Sequence, residues 1–160
     1  MPQFATLLTD VPVDERGFRS VLLATARTAL GGGIVQGGLS ATHSYGDADT
    51  DQRVRDIRVF VRPANTAPRA ALTELEKHGF KPVTALEFHC DHDRDSQEDA
   101  WALLGLYADE LRGWVMTHYL DYDEAAARCG GGEGLLRAPI GSHKHPGVLI
   151  AASTLKLLTP

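Results

Sequence analysis

His89, Cys90, Asp91 and His92 stand in one run, and His143 and His145 stand two residues apart. Imidazole, thiolate and carboxylate are the side chains that hold zinc, and a catalytic zinc keeps three of them plus a water. His89 or His92 with His143 and His145 supplies such a set only if the fold joins distant segments. The spacing itself matches no metal motif, having neither HExxH nor a paired CxxC. On a strand, His89 and Cys90 would face opposite sides and make poor co-ligands. This cluster carries the second of two functional readings, a metal-dependent hydrolase or a small-ligand-binding domain.

Two aspartate triplets come next. Asp47, Asp49 and Asp51 repeat the first three ligand positions of a calcium loop, and so do Asp91, Asp93 and Asp95. Such a loop also needs Gly at its sixth position and Glu at its twelfth. The chain offers Gln52 and Arg58 after the first triplet, and Ser96 and Ala102 after the second. Both triplets therefore read as solvated acidic loops, or as an acidic surface that meets a basic partner. Charge of that kind speeds association and sets specificity.

Other signatures fail on position. The runs Gly31-Gly32-Gly33 and Gly130-Gly131-Gly132-Glu133-Gly134 look like phosphate loops. A phosphate loop opens a helix, whereas both runs follow one and suit helix caps. No GxSxG elbow is present, and Ser142 beside His143 makes no triad. Cys90 closes an apolar run, where a small buried thiol is the common case. No cofactor signature remains.

The elements that must position these residues follow from periodicity. Asp14 to Leu30 puts Phe18, Val21, Leu22, Ala26 and Ala29 at helical spacing, and Gly31 stops it. Ile34 to Tyr45 reads as one strand or a loose hairpin. Val54 to Val61 alternates Ile57, Val59 and Val61 against Arg58, Phe60 and Arg62, the period of a half-buried strand. A short helix spans 69–78, a strand 83–90, and the clearest helix 96–112, with Ser96 and Asp99 at capping-box spacing. Trp114 to Leu120 reads as a strand, with Trp114 and Tyr119 facing opposite sides. A short helix then reaches Arg128, and strands are expected at 135–140 and 148–158. The sum is a single α+β domain over residues 1–160, its sheet mixed but mostly antiparallel, with helices packed on one face.

Net charge is −5, which argues against a general nucleic-acid binder. The charge is uneven along the chain. Residues 87–99 carry six carboxylates against Arg94 alone, and residues 53–69 carry five arginines against Asp56 alone. This predicts a molecule polarised in sequence and at its surface. The two cysteines form no disulfide framework, the start has no basic and apolar leader, and no apolar run reaches membrane-spanning length. The expected location is the cytoplasm.

One segment resembles a known family. His78-Gly79-Phe80-Lys81-Pro82, a strand ending in Cys90, Asp91-His92-Asp93, the helix through Leu103-Leu104-Gly105-Leu106, and Gly113-Trp114-Val115 are similar to the centre of small immunity proteins from bacterial polymorphic and contact-dependent toxin systems. The resemblance covers roughly residues 74–120. It implies a non-enzymatic, acidic α+β protein that binds a cognate toxin and occludes its active site. On this first reading Asp47, Asp49, Asp51, Asp91, Asp93 and Asp95 are the charged contacts to a basic cleft. Trp114 or Tyr119 is the apolar anchor, with no nucleic acid and no membrane involved.

Overall fold

The computed structural model describes residues 2–46, 53–138 and 147–158. The chain opens with strand β1, Gln3–Thr9. Helix α1 starts as Glu15–Gly17, passes through a π-helical segment at Phe18–Leu23 and continues as Ala24–Leu30. Strands β2 (Gly33–Gly37), β3 (Ser40–Tyr45) and β4 (Arg55–Pro63) follow. A 3-10 turn, Ala64–Thr66, leads to α2 (Arg69–Lys77) and β5 (Thr84–His89). The longest helix is α3 (Arg94–Leu111), then β6 (Trp114–Thr117), α4 (Tyr122–Cys129), β7 (Leu135–Ala138), β8 (Gly147–Ala151) and α5 (Ala152–Leu155).

The strands make one eight-stranded sheet in the order β2-β3-β4-β5-β1-β6-β8-β7, and every pairing is antiparallel. Because β5 lies between β1 and β4, those two run parallel, and the chain passes from one to the other through α1 and the β2–β3 hairpin. Because β1 lies between β5 and β6, that pair is parallel too, joined through α3. These interlocked split β-α-β units form the centre of the fold. The β2–β3 hairpin widens one side of the sheet, and β7 and β8 widen the other.

The burial of β1 explains its central place. Leu7 and Leu8 are adjacent, so they face opposite sides of the sheet, and both are 0% exposed. Leu7 belongs to the larger core, with Phe18, Leu22 and Ala26 of α1, Leu103, Leu104 and Tyr107 of α3, Ala125 of α4 and Leu155 of α5. Leu8 belongs to a smaller core with Ala71 and Leu75 of α2. Four helices thus share one face, and α2 alone covers part of the other. A fully buried Leu contributes roughly 1.5–3 kcal/mol over an exposed one, so β1, like β8 with Leu149 in the smaller core and Val148 and Ile150 in the larger, ties the two layers together.

The α+β class and the antiparallel sheet agree with the sequence reading, whereas the expectation of helices on one face is corrected by α2, which packs on the other, and several boundaries differ. Residues 34–45 form a true hairpin. Strand β8 ends at Ala151, and the helix Ala152–Leu155 replaces the rest of the expected strand. Strand β6 stops at Thr117, because the Thr117 hydroxyl accepts the Tyr119 N–H at 3.2 Å and donates to the Phe4 carbonyl at 3.0 Å. No described helix is long and apolar enough to cross a membrane.

Candidate partner-binding groove

The first surprise concerns charge. Strand β4 pairs antiparallel with β5, with Arg58 opposite His89. Residues just before β4 therefore lie beside residues just after β5. Arg53 Nη2 sits 3.6 Å from Asp93 and 3.8 Å from Asp91. Arg55 Nε donates to Asp99 at 2.5 Å, and Arg62 Nε lies 2.8 Å from Glu87. The basic and acidic runs are separate in sequence but neutralise each other in space. The expected charge polarisation of the surface is corrected accordingly.

The predicted acidic contacts consequently differ in kind. Asp93 is the N-cap of α3: its carboxylate accepts the Ser96 N–H at 2.9 Å and the Ser96 hydroxyl at 2.8 Å. Those bonds hold its carboxyl below the usual carboxylate range. Asp93, not Ser96, caps this helix, so the helix starts at Arg94. Asp91 and Asp95 remain exposed. Asp47, Asp49 and Asp51 lie outside the described residues, as do Ser142, His143 and His145.

The described histidines His89 and His92 turn to different partners. His89 Nε2 lies 3.3 Å from Glu87 Oε1, and its ring meets Phe60 edge-on at 5.1 Å. His92 Nδ1 instead meets the Tyr119 hydroxyl at 2.9 Å. Among the described residues no three His, Cys, Asp or Glu side chains gather as a metal site. Cys90 is buried, and burial pushes its thiol up to about 11, with nearby aspartates adding to the shift. A thiol so raised is a poor nucleophile at neutral pH.

The aromatic residues do converge. Tyr119, turned off the end of β6, packs its ring 5.0 Å from Phe4, and Phe4 meets Trp101 of α3 edge-on at 5.0 Å. Trp101 and Tyr119 floor a groove of about 540 Å³ that runs between α3, α4 and the C-terminal Leu157 and Leu158. Its rim carries Arg94 bonded to Glu98 at 3.0 Å and Arg128 near Glu124 at 3.8 Å. Leu157 is 62% exposed at the edge. The groove thus combines two aromatic rings with a lining of paired charges. Trp114 is elsewhere, packed on the smaller core beside α2.

No family model matches the chain, and no curated protein or solved structure gives a match. Function rests on this geometry.

A second cleft of about 420 Å³ lies on the α2 face, lined by Thr6, Glu87, Met116 and His118. Both Glu87 oxygens already have neighbours, Arg62 on one and His89 on the other. The carboxylate is thus neutralised within the protein. The groove on the other face is lined by Trp101, Tyr119, Leu157 and Leu158 together with paired charges.

The sequence reading names Tyr119 but not Trp101 as a groove residue, because Trp101 widens a core stripe and reads as packing. Its position at the margin of that stripe, beside Ala100 and Leu104, is the available signal. Leu157 and Leu158 fall in a segment read as strand, which hides them as groove residues.

Proposed function

We propose that the protein acts by binding another protein, in the manner of an immunity protein that covers the active site of a cognate bacterial toxin in the cytoplasm. The observation that carries this reading is the groove floored by Trp101 and Tyr119, with Leu157 exposed at its edge and paired charges on its rim. The resemblance of residues 74–120 to the centre of immunity proteins supports the toxin as partner. Trp101 and Tyr119 anchor the contact, and exposed Asp95 in the first turn of α3 adds charge toward a basic cleft, whereas Asp91 shares its charge with Arg53. Asp93 serves the same surface indirectly, by fixing the first turn of that helix.

The test is genetic. The C-terminal region of the protein encoded immediately upstream is produced in a host, with and without this chain. Growth arrest relieved by the chain, and not by Leu157→Asp combined with Gln97→Arg, supports the proposal. A harmless upstream product, or full relief by that double variant, overturns it.

A further inference from the structure

The β2–β3 hairpin stands apart from the rest of the chain in composition. Residues 31–46 contain no Asp, Glu, Lys or Arg, in a chain that is 23% charged. Among the described residues the hairpin also forms an edge of the sheet, since β2 pairs with β3 alone. Natural edge strands are usually guarded by charge, proline or a bulge, because their free backbone groups accept another strand. Strand β2, Gly-Ile-Val-Gln-Gly, has neither a charge nor a proline, and its register with β3 runs unbroken from Gly33 to Gly37. Val35 at its centre is 75% exposed.

The register tells which backbone groups are free. The Val61 N–H bonds to the Leu39 carbonyl, so odd-numbered residues of β3 turn their backbone toward β4. Even-numbered Ser40, Thr42 and Ser44 then bond β2, through their partners Gly37, Val35 and Gly33. Ile34 and Gln36 are left with N–H and C=O groups directed outward, away from the sheet. The Gln36 side chain is fixed on the helix side by Arg19, whose Nε donates to it at 3.1 Å. Val35 alternates to the opposite face.

We propose that this edge is a self-association surface, with β2 of a second copy pairing antiparallel across a two-fold axis at Val35. Centred there, Ile34 of each copy pairs with Gln36 of the other, giving four backbone hydrogen bonds. The two Val35 residues form the closer, non-hydrogen-bonded pair on the axis. Shifting the centre to Ile34 or Gln36 would draw in Gly32 or Gly38, whose φ values of +76° and +62° are not extended. One register therefore uses the whole strand. A second copy is the favoured occupant for two reasons. The contact is self-complementary, as a two-fold interface requires. And in an acidic chain of net charge −5, this uncharged hairpin is where two copies meet without like-charge repulsion.

Sedimentation equilibrium of the full chain tests the proposal. The native protein is expected as a monomer–dimer equilibrium. Val35→Lys, which sets two like charges on the axis at an exposed position, is expected to weaken the dimer at least ~tenfold with an unchanged circular dichroism spectrum. Val35→Cys is expected to yield a disulfide-linked dimer on mild oxidation, because Cα atoms about 4.5 Å apart are within disulfide reach. The native chain, with only Cys90 and Cys129, is expected to yield none. A native protein that stays monomeric at about 1 mM overturns the proposal. So does a dimer that Val35→Lys leaves intact.

Discussion

Arg55 Nε donates to Asp99 Oδ2 at 2.5 Å, joining the start of β4 to the second turn of α3. The pair ties the basic segment to the acidic one, and it lies at the end of the molecule where α3 begins. Both side chains are part-buried. The bond also holds the Arg55 guanidinium above its ordinary pKa, so it stays charged throughout. Removing one partner leaves a poorly solvated charge. Asp99→Ala, Arg55→Ala and the double variant are expected to reveal a coupling of about 1 kcal/mol in urea unfolding, more than a fully exposed pair usually gives. Additive losses would mean the pair contributes nothing.

Asp93 should behave as a helix cap and not as a free surface charge. Asp93→Ala is expected to lower the thermal midpoint clearly, while Asp91→Asn and Asp95→Asn leave it nearly unchanged. The folded-state carboxyl of Asp93 is held below its unfolded value by the Ser96 bonds. Its contribution is therefore present at neutral pH and lost as pH falls through the depressed value. Thermal scans of the three variants separate the roles, and equal midpoints would refute the division.

The buried His43 makes stability depend on pH. Its Nε2 meets the Tyr107 hydroxyl at 2.9 Å, and burial lowers its pKa from 6.5 to about 4. The unfolded chain takes up the proton first as pH falls, so stability is full above about 6.5 and declines toward about 4. The loss across that window is on the order of 3 kcal/mol. His43→Phe is expected to lower stability at pH 7, since Tyr107 loses its partner, but to flatten the decline between pH 6.5 and 4.5. A slope equal to that of the native chain would assign the pH dependence to other groups.

Arg112 ends α3 with φ 61° and ψ −171°, a conformation that favours glycine. Gly113 follows at φ 108°, where an added Cβ would collide with the Leu8 carbonyl, so the turn into β6 cannot easily relax. Strain of this kind costs of order 1–3 kcal/mol. Arg112→Gly is expected to raise stability by about 1 kcal/mol in denaturant unfolding. A loss of stability would place the turn elsewhere in φ,ψ space.

Local pattern made the elements legible and left their meeting points hidden. Ile57, Val59 and Val61 announce β4 by alternation, and all three are buried in the larger core. Leu104, Tyr107, Ala108 and Leu111 announce the inward stripe of α3 in the same way. The cancellation of Arg53 and Arg55 against Asp91, Asp93 and Asp99 depends on β4 pairing with β5, a non-local choice that no window of residues encodes. Tyr119 reads as a strand residue in sequence because the stop at Thr117 comes from a side-chain hydroxyl, not from Gly or Pro. The buried His43–Tyr107 bond joins residues 64 apart in sequence. Only the need of a core tyrosine for a hydrogen-bond partner hints at it.

The groove floored by Trp101 and Tyr119 is tested most directly by titration calorimetry of the purified chain against the C-terminal domain of the protein encoded immediately upstream, the partner proposed above. Leu157→Asp with Gln97→Arg, both at the groove, is expected to weaken binding at least ~tenfold, while Val35→Lys at the remote sheet edge leaves affinity for that domain unchanged. Undiminished affinity in the groove variant would contradict the assignment of this surface.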